Sequence, residues 1–367
     1  MKVLDDIKLF FKDITNFFHS GSVLGVDMGT SSIKVAELSE KKGRFNLENY
    51  GELKTLDYLG HPNLALQMSS LDIVESEASE LLKMLVSEMG TDSRGALLSI
   101  PEFASFTTLL DMPMISDKEV SRSVEFQARK YIPMSLDELE IDWQRVDSYK
   151  NDEGQEFQRI FLIGMPKKVV SSYTNICKEA GLKVFSMELA SVASVRAFPH
   201  FERPTILVDI GAESTTVVVT EKGDVKYSGQ TDYGGIHITR ALSTSLDLSM
   251  ERADKLKKRK GFLQESGGSE LSTLVLPFLD VIIQEVDYVR DIYEKRYGKK
   301  VGQFRIFGGG GNLDGIDEYF EKQLGIKKVE ASIFSDVSYP QEVTPGVRLL
   351  ENELPVAVGL AKKYFLS

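Results

Sequence analysis

Asp27 and Asp209 each stand two residues ahead of a glycine, and each lies between two apolar runs. The first segment reads Val23-Leu24-Gly25-Val26-Asp27-Met28-Gly29-Thr30-Ser31-Ser32-Ile33-Lys34-Val35-Ala36-Glu37-Leu38. The second reads Thr205-Ile206-Leu207-Val208-Asp209-Ile210-Gly211-Ala212-Glu213-Ser214-Thr215-Thr216-Val217-Val218-Val219. Both spell an apolar strand, an Asp-x-Gly turn with small hydroxyl residues, and a second apolar strand. Glycine lets backbone N–H groups approach anionic oxygens without a Cβ in the way. An aspartate cannot face phosphate alone, so Mg²⁺ or its waters must lie between them. The repeated hairpin therefore suits two jaws closing on a metal-bound polyphosphate.

Three further segments could complete such a site. Tyr233-Gly234-Gly235 follows the second hairpin and precedes a helix, where free N–H groups favour an anion. Phe304-Arg305-Ile306-Phe307 is a short strand running into Gly308, Gly309, Gly310 and Gly311, a turn on whose bare backbone a flat base or ribose can rest. Val356-Ala357-Val358-Gly359-Leu360-Ala361 reads as a small-residue helix able to pack closely on a neighbour.

The elements that must position these residues follow from periodicity and punctuation. A helix is expected over 72–89, with Val74, Ala78, Leu81, Leu82 and Leu85 on one face, and strands over 95–111. Ser116 and Glu119 form a capping box that opens a helix carrying Val120, Val124, Ala128 and Tyr131, which Pro133 ends. Strands over 140–149 and 156–164 flank the polar turn Asn151-Asp152-Glu153-Gly154. A helix over 167–180 stops at Gly181. The span 93–182 thus reads as a compact insert between the two hairpins. Further on, a helix over 242–259, a Gly/Ser linker at 265–269 and a long helix over 274–297 make another lobe.

Composition bounds what else the chain can do. Its 367 residues exceed a single core, and a net charge of −11 argues against a large nucleic-acid footprint. One cysteine, Cys177, excludes an internal disulfide, and four histidines leave little for a zinc site. No apolar run is long enough to span a bilayer. Residues 1–19 are amphipathic, with Leu4, Ile7, Phe11, Ile14 and Phe18 on one stripe, widened by Phe10 and Phe17. That face fits docking on its own protein or a partner, or a membrane surface.

The order of these motifs resembles the actin-like ATPases, an α/β fold of duplicated ribonuclease H-like lobes. Residues 25–34 resemble the phosphate-1 motif, 209–216 phosphate-2, and 306–313 the adenosine motif. Residues 185–198 and 355–362 resemble the two connecting helices. Within that superfamily the chain is similar to the PilM family of type IV pilus assembly proteins, relatives of the cell-division protein FtsA. The residues that carry the likeness are Leu110-Asp111-Met112-Pro113-Met114, Val124-Glu125-Phe126-Gln127-Ala128-Arg129-Lys130-Tyr131-Ile132-Pro133 and Gly234-Gly235-Ile236-His237-Ile238-Thr239-Arg240-Ala241-Leu242.

The resemblance implies domains and roles. Residues 1–19 would be an N-terminal amphipathic helix, and 20–92 with 183–204 subdomain 1A. The insert 93–182 would be an FtsA-type 1C, SHS2-like domain. Residues 205–240 and 306–354 would be subdomain 2A, 241–305 subdomain 2B, and 355–367 the C-terminal connecting helix. Asp27 and Asp209 would hold Mg²⁺ through water. Gly29, Thr30, Ser31, Ser32 and Lys34 would meet the ATP phosphates from one side, and Gly211, Ala212, Glu213 and Ser214 from the other, with Gly234 and Gly235 beside them. Asp254 would grip the ribose where relatives usually carry Glu, Lys257 would lie beside the adenine, and Gly308–Gly311 beneath it. Glu188, at the start of the first connecting helix, would orient an attacking water; slow hydrolysis fits as well as fast. The partner implied is the N-terminal cytoplasmic tail of a PilN-like inner-membrane protein, with the pilus motor ATPase and self-association as further contacts, at the cytoplasmic face of the inner membrane. The alternatives are an FtsA-like membrane-associated polymer and a small-molecule kinase.

Overall fold

The computed structural model describes residues 21–55, 71–260 and 269–366. The amphipathic segment 1–19, residues 56–70 and residues 265–268 of the Gly/Ser linker lie outside them.

The first sheet begins as a meander. Strands β1 (Ser22–Met28), β2 (Ser32–Lys41) and β3 (Arg44–Lys54) pair antiparallel. Lys42 and Gly43 both take positive φ in the two-residue turn between β2 and β3, the geometry that matches strand twist in a tight hairpin. Helix α1 (Leu71–Met89) buries Ala78, Leu81, Leu82 and Leu85, and returns the chain to β4 (Gly95–Ile100), parallel to β1.

The chain then leaves this sheet. A 3-10 turn, Glu102–Ala104, leads into β5 (Phe106–Pro113), followed by α2 (Asp117–Tyr131), β6 (Leu139–Lys150) and β7 (Glu156–Pro166). These strands form a separate sheet of order β5-β7-β6, and α2 covers it with Val120, Val124 and Ala128 against Leu110, Ile160 and Leu162. The Ser116–Glu119 capping box is present at the start of α2. Helix α3 (Lys167–Glu179) packs Tyr173, Ile176 and Cys177 with the α1 side chains, and β8 (Lys183–Leu189) lies parallel to β4. Within the expected insert of 93–182, β4 therefore pairs into the first sheet and α3 packs beneath it, while 106–166 stand apart. Helix α4 (Ala190–Ala197) follows.

The second lobe repeats the plan. Strands β9 (Thr205–Ile210), β10 (Thr215–Glu221) and β11 (Asp224–Thr231) form an antiparallel meander. Helices α5 (Gly235–Leu246), α6 (Met250–Lys260) and α7 (Ser269–Tyr297) then lead to β12 (Gln303–Phe307), parallel to β9 as β4 is to β1. Helix α8 (Ile316–Leu324) precedes β13 (Lys327–Lys328) on the far edge of this sheet, whose order is β11-β10-β9-β12-β13. Strand β14 (Val337–Ser338) crosses back to the first sheet, giving β14-β3-β2-β1-β4-β8.

The single helix expected over 242–259 is two. Asp247 adopts the left-handed conformation and ends α5, and Ser249 Oγ accepts the Arg252 N–H as α6 begins.

Helices α9 (Val347–Glu353) and α10 (Pro355–Leu366) close the chain. A Cβ at Gly359 would lie 1.8 Å from the Ala193 carbonyl oxygen, so only glycine lets α10 pack this tightly on α4. The core these helices fill joins Val23, Ala36 and Leu97 of one lobe to Leu207, Val218 and Phe307 of the other.

The three-stranded sheet also touches the second lobe. Buried Arg159 on β7 donates to Asp111 at 2.6 Å and to the Arg296 carbonyl at 3.2 Å, and its guanidinium lies 4.4 Å from the Tyr297 ring centre. Lys226 on β11 donates to the Val146 carbonyl on β6.

Candidate functional site

The two hairpins share one turn geometry. Gly29 N–H donates to the Ser32 carbonyl at 2.9 Å, and Gly211 N–H to the Ser214 carbonyl at 3.0 Å. In each, the aspartate sits near the end of its strand, with Asp27 opposite Lys34 and Asp209 opposite Thr216. Thr30 and Ser31 are tied to Thr55, which donates to their carbonyls through Oγ1 at 3.2 Å and N–H at 3.0 Å. The Thr215 hydroxyl donates to the Tyr233 carbonyl at 2.7 Å.

Both aspartates face a common charged cleft. Burial pushes the Asp209 carboxyl up to about 7; the negative charges of Asp27, Glu102 and Glu353 add to the rise and Lys34 opposes it. Asp27 is raised too, by burial, while Lys34 and a 2.7 Å hydrogen bond from Ser99 Oγ hold it back. Burial works against the Lys34 ammonium, but the Glu353 and Asp27 carboxylates outweigh it and raise its pKa. Lys34 Nζ lies 2.6 Å from Glu353 Oε2, and Glu353 Oε1 accepts from Asn312 Nδ2 at 3.1 Å. β1, β2, β9, the end of β12 and the end of α9 therefore converge here.

The four glycines close one wall. Gly308 takes φ +77, and a Cβ there would come within 2.3 Å of Asp209 Oδ1. Gly309, Gly310 and Gly311 form a 3-10 turn, with Gly311 N–H donating to the Gly308 carbonyl at 3.0 Å.

Gly234 and Gly235 sit at the start of α5, as the sequence suggests, but the hairpin itself uses the nearby N–H groups. Gly235 N–H donates to the Gly211 carbonyl at 2.9 Å, and Ile236 N–H to Ala212 at 2.8 Å. Glu213 and Ser214 complete that turn. Behind it, Lys257 Nζ reaches the Gly235 carbonyl at 3.0 Å, Thr239 Oγ1 at 2.7 Å and Asp254 Oδ1 at 2.9 Å. Burial lowers the Lys257 pKa, while Asp254, though partly buried, is held low by Lys257 and Lys258.

Glu188 departs from expectation. It lies on β8, not on a helix, because pairing with β4 keeps the chain extended through Leu189, and α4 starts at Ala190. Its two oxygens are held by Arg196, and Lys363 Nζ lies 2.9 Å from Oε2. In this structure it is an ion-paired carboxylate.

Sequence reasoning missed three residues at the cleft: Ser99, Glu353 and Glu102. Ser99 and Glu102 are single polar residues beside an apolar strand, and Glu353 follows Glu351 and Asn352 in a polar helix end, patterns common in any fold, so spacing alone gave no signal.

The fold is that of the actin-like ATPases, with two lobes of one plan and an Asp-bearing hairpin from each. A solved PilM–PilN type IV pilus biogenesis complex superposes with a TM-score of 0.78 at 20% identity, covering 93% of this chain and 98% of that one. MreB5 of Spiroplasma citri, solved bound to ADP, gives 0.52 at 13% identity over 94% of this chain and 96% of its own. Among curated proteins, the cell-division protein FtsA of Streptococcus pneumoniae is 22% identical over 258 residues, 66% of this chain and 56% of FtsA. The match thus spans little more than half of that relative. The chain belongs to the family of the type IV pilus assembly protein PilM, whose family model matches residues 25–365.

Proposed function

We propose that the chain is a nucleotide-gated scaffold of a type IV pilus machine. It holds Mg-ATP between its two hairpins and in that state receives the N-terminal cytoplasmic tail of a PilN-like inner-membrane protein. The convergence of Asp27, Lys34 and Asp209 on one cleft carries this reading. Its fold is shared with MreB5, solved bound to ADP.

The residues fit a divalent cation. Two carboxylates whose ionisation burial opposes lie in one cleft, and among the described residues no group of three or more His, Cys, Asp or Glu could hold an ion alone. That suits Mg²⁺, which keeps several waters and takes one or two carboxylates plus substrate phosphates. When bound, it supplies the positive charge that lets carboxylates and polyphosphate share the cleft. Lys34 would turn from Glu353 to a phosphate, the glycines at 29 and 211 would let the turns approach closely, and Gly308–Gly311 would carry the adenosine. Asp254 and Lys257 would flank the ribose and base. With Glu188 ion-paired, the site suits holding nucleotide more than rapid turnover.

The tail would enter a cavity of about 270 Å³ between the three-stranded sheet and the second lobe, lined by Phe106, Thr107 and Thr108 of β5 and Ser228, Gly229 and Gln230 of β11. Both are edge strands. An extended peptide can add to such an edge through main-chain hydrogen bonds. Gln230 Oε1 is buried there without a hydrogen-bond partner, an acceptor that a peptide N–H would satisfy. The solved PilM relative is a complex with PilN, which supports the choice of partner. No described helix is long and apolar enough to cross a membrane, so attachment at the cytoplasmic face would come through that partner.

Isothermal titration with ATP and MgCl₂, then with a synthetic N-terminal tail peptide of the PilN from the same genome, tests the reading. Saturable binding of both supports it, and absence of ATP binding overturns it.

A further inference from the structure

Glu102 belongs to neither the hairpins nor the insert's sheet, yet it touches both sites. It opens the 3-10 turn Glu102–Ala104 between β4 and β5, and its residue is 8% exposed. One carboxylate oxygen accepts the Ser191 N–H in the first turn of α4 at 2.8 Å. The other lies 3.4 Å from the Thr216 hydroxyl on β10, and Thr216 is the register partner of Asp209. Glu102 also lines the cavity bounded by β5 and β11. Buried carboxylates are stable only when hydrogen-bonded, so these donors fix where Glu102 sits.

The covalent route is as short as the hydrogen-bonded one. Ser105 N–H donates to the Glu102 carbonyl at 2.9 Å, and Phe106 then starts β5. A shift of β10 towards nucleotide would move Thr216, then Glu102, then the first residues of β5 at the cavity wall. Such a shift has discrete consequences because α4 is capped by the same carboxylate. Burial already raises the Glu102 pKa, and its charge is one of those felt by Asp209.

We propose that Glu102 couples the nucleotide cleft to the insert-side cavity, so that nucleotide and tail peptide change each other's affinity through this one carboxylate. The proposal rests on the reading above and adds its regulation. Coupling between two ligands is reciprocal and typically amounts to about 5–150-fold.

The experiment measures the Kd for Mg-ATP with and without saturating tail peptide, and reads the ratio of the two rather than either constant. Three chains are compared: the native protein, Glu102→Gln, which removes the charge and replaces one acceptor with a donor, and Thr216→Val, which removes only the hydroxyl. The expected native ratio is at least about fivefold, falling below about twofold in both variants. Should Glu102→Gln fail to fold by circular dichroism, Thr216→Val decides alone. A native ratio near one, with both ligands bound, overturns the proposal, as does a ratio retained in the variants. Failure of the native protein to bind ATP or peptide at all rejects the functional reading, and this inference with it.

Discussion

Lys34 Nζ and Glu353 Oε2 stand 2.6 Å apart across the cleft, each side chain only 13% exposed. The ammonium that would meet a phosphate is therefore already neutralised by a carboxylate from the other end of the chain. A triphosphate bound there would have to displace Glu353, and a pair this sheltered is not screened away as a surface pair is. Glu353→Gln should tighten Mg-ATP binding by about tenfold, the equivalent of ~1.4 kcal/mol. Lys34→Met should weaken it by at least about tenfold. Titration calorimetry reads both, and equal affinities for native and Glu353→Gln would show that the pair does not compete with nucleotide.

The two aspartates should behave unlike ordinary surface acids on removal. Burial disfavours their charged forms, so Asp27→Asn and Asp209→Asn remove a destabilising charge from the nucleotide-free protein. Each variant should match or exceed the native Tm without ligand, yet lose the gain in Tm expected of the native chain with Mg-ATP. A variant that melts lower but still responds to Mg-ATP would mark a structural role.

How much of this was legible beforehand depends on the kind of signal. The hairpins announce themselves because an apolar strand, an Asp-x-Gly turn and a second strand are contiguous. The actin-like lobes follow once their order is seen. The break between α5 and α6 was written in Asp247 and Ser249, a left-handed end and a cap, but helical periodicity on both sides hid it. Sheet membership of β4 could not be read, since a short apolar strand looks alike in either sheet. Glu188 was assigned by likeness to a helix start, and pairing with β4 overrode that expectation. Glu353 and Glu102 matter through neighbours far away in sequence, information that spacing does not carry.

Stability should also report the Asp209 proton. Its carboxyl is pushed up to about 7 from an ordinary 3.8. Between those values the folded chain binds a proton that the unfolded chain has lost, so stability falls as pH rises through this window and levels off above about 7. Asp27 acts in the same direction. Urea unfolding of the nucleotide-free protein at pH 5.5, 6.5 and 7.5 should show native stability declining relative to Asp209→Asn. Parallel curves for the two proteins would rule out a raised Asp209.

The seam between insert and second lobe centres on Arg159. Its guanidinium is bonded to Asp111 at 2.6 Å and stacked on Tyr149 and Tyr297, with ring centres 5.0 and 4.4 Å away. The guanidinium is buried and fully engaged while Asp111 is exposed to solvent, so Arg159→Met loses the charged hydrogen bonds and the ring stack without stranding a buried charge, and should cost about 1.5–3 kcal/mol in urea unfolding. Asp111→Asn alone should cost less, because the ring stack and the Arg296 carbonyl remain. Tyr297→Leu should cost about 1–3 kcal/mol, through the lost cation–π contact and the lost hydrogen bond from Tyr297 Oη to the Lys226 carbonyl at 2.8 Å. Because Arg159 and Tyr297 share that contact, the double variant should fall short of the sum of the singles by 0.5 kcal/mol or more, on the order expected for touching residues. If the losses simply add, the two side chains act independently.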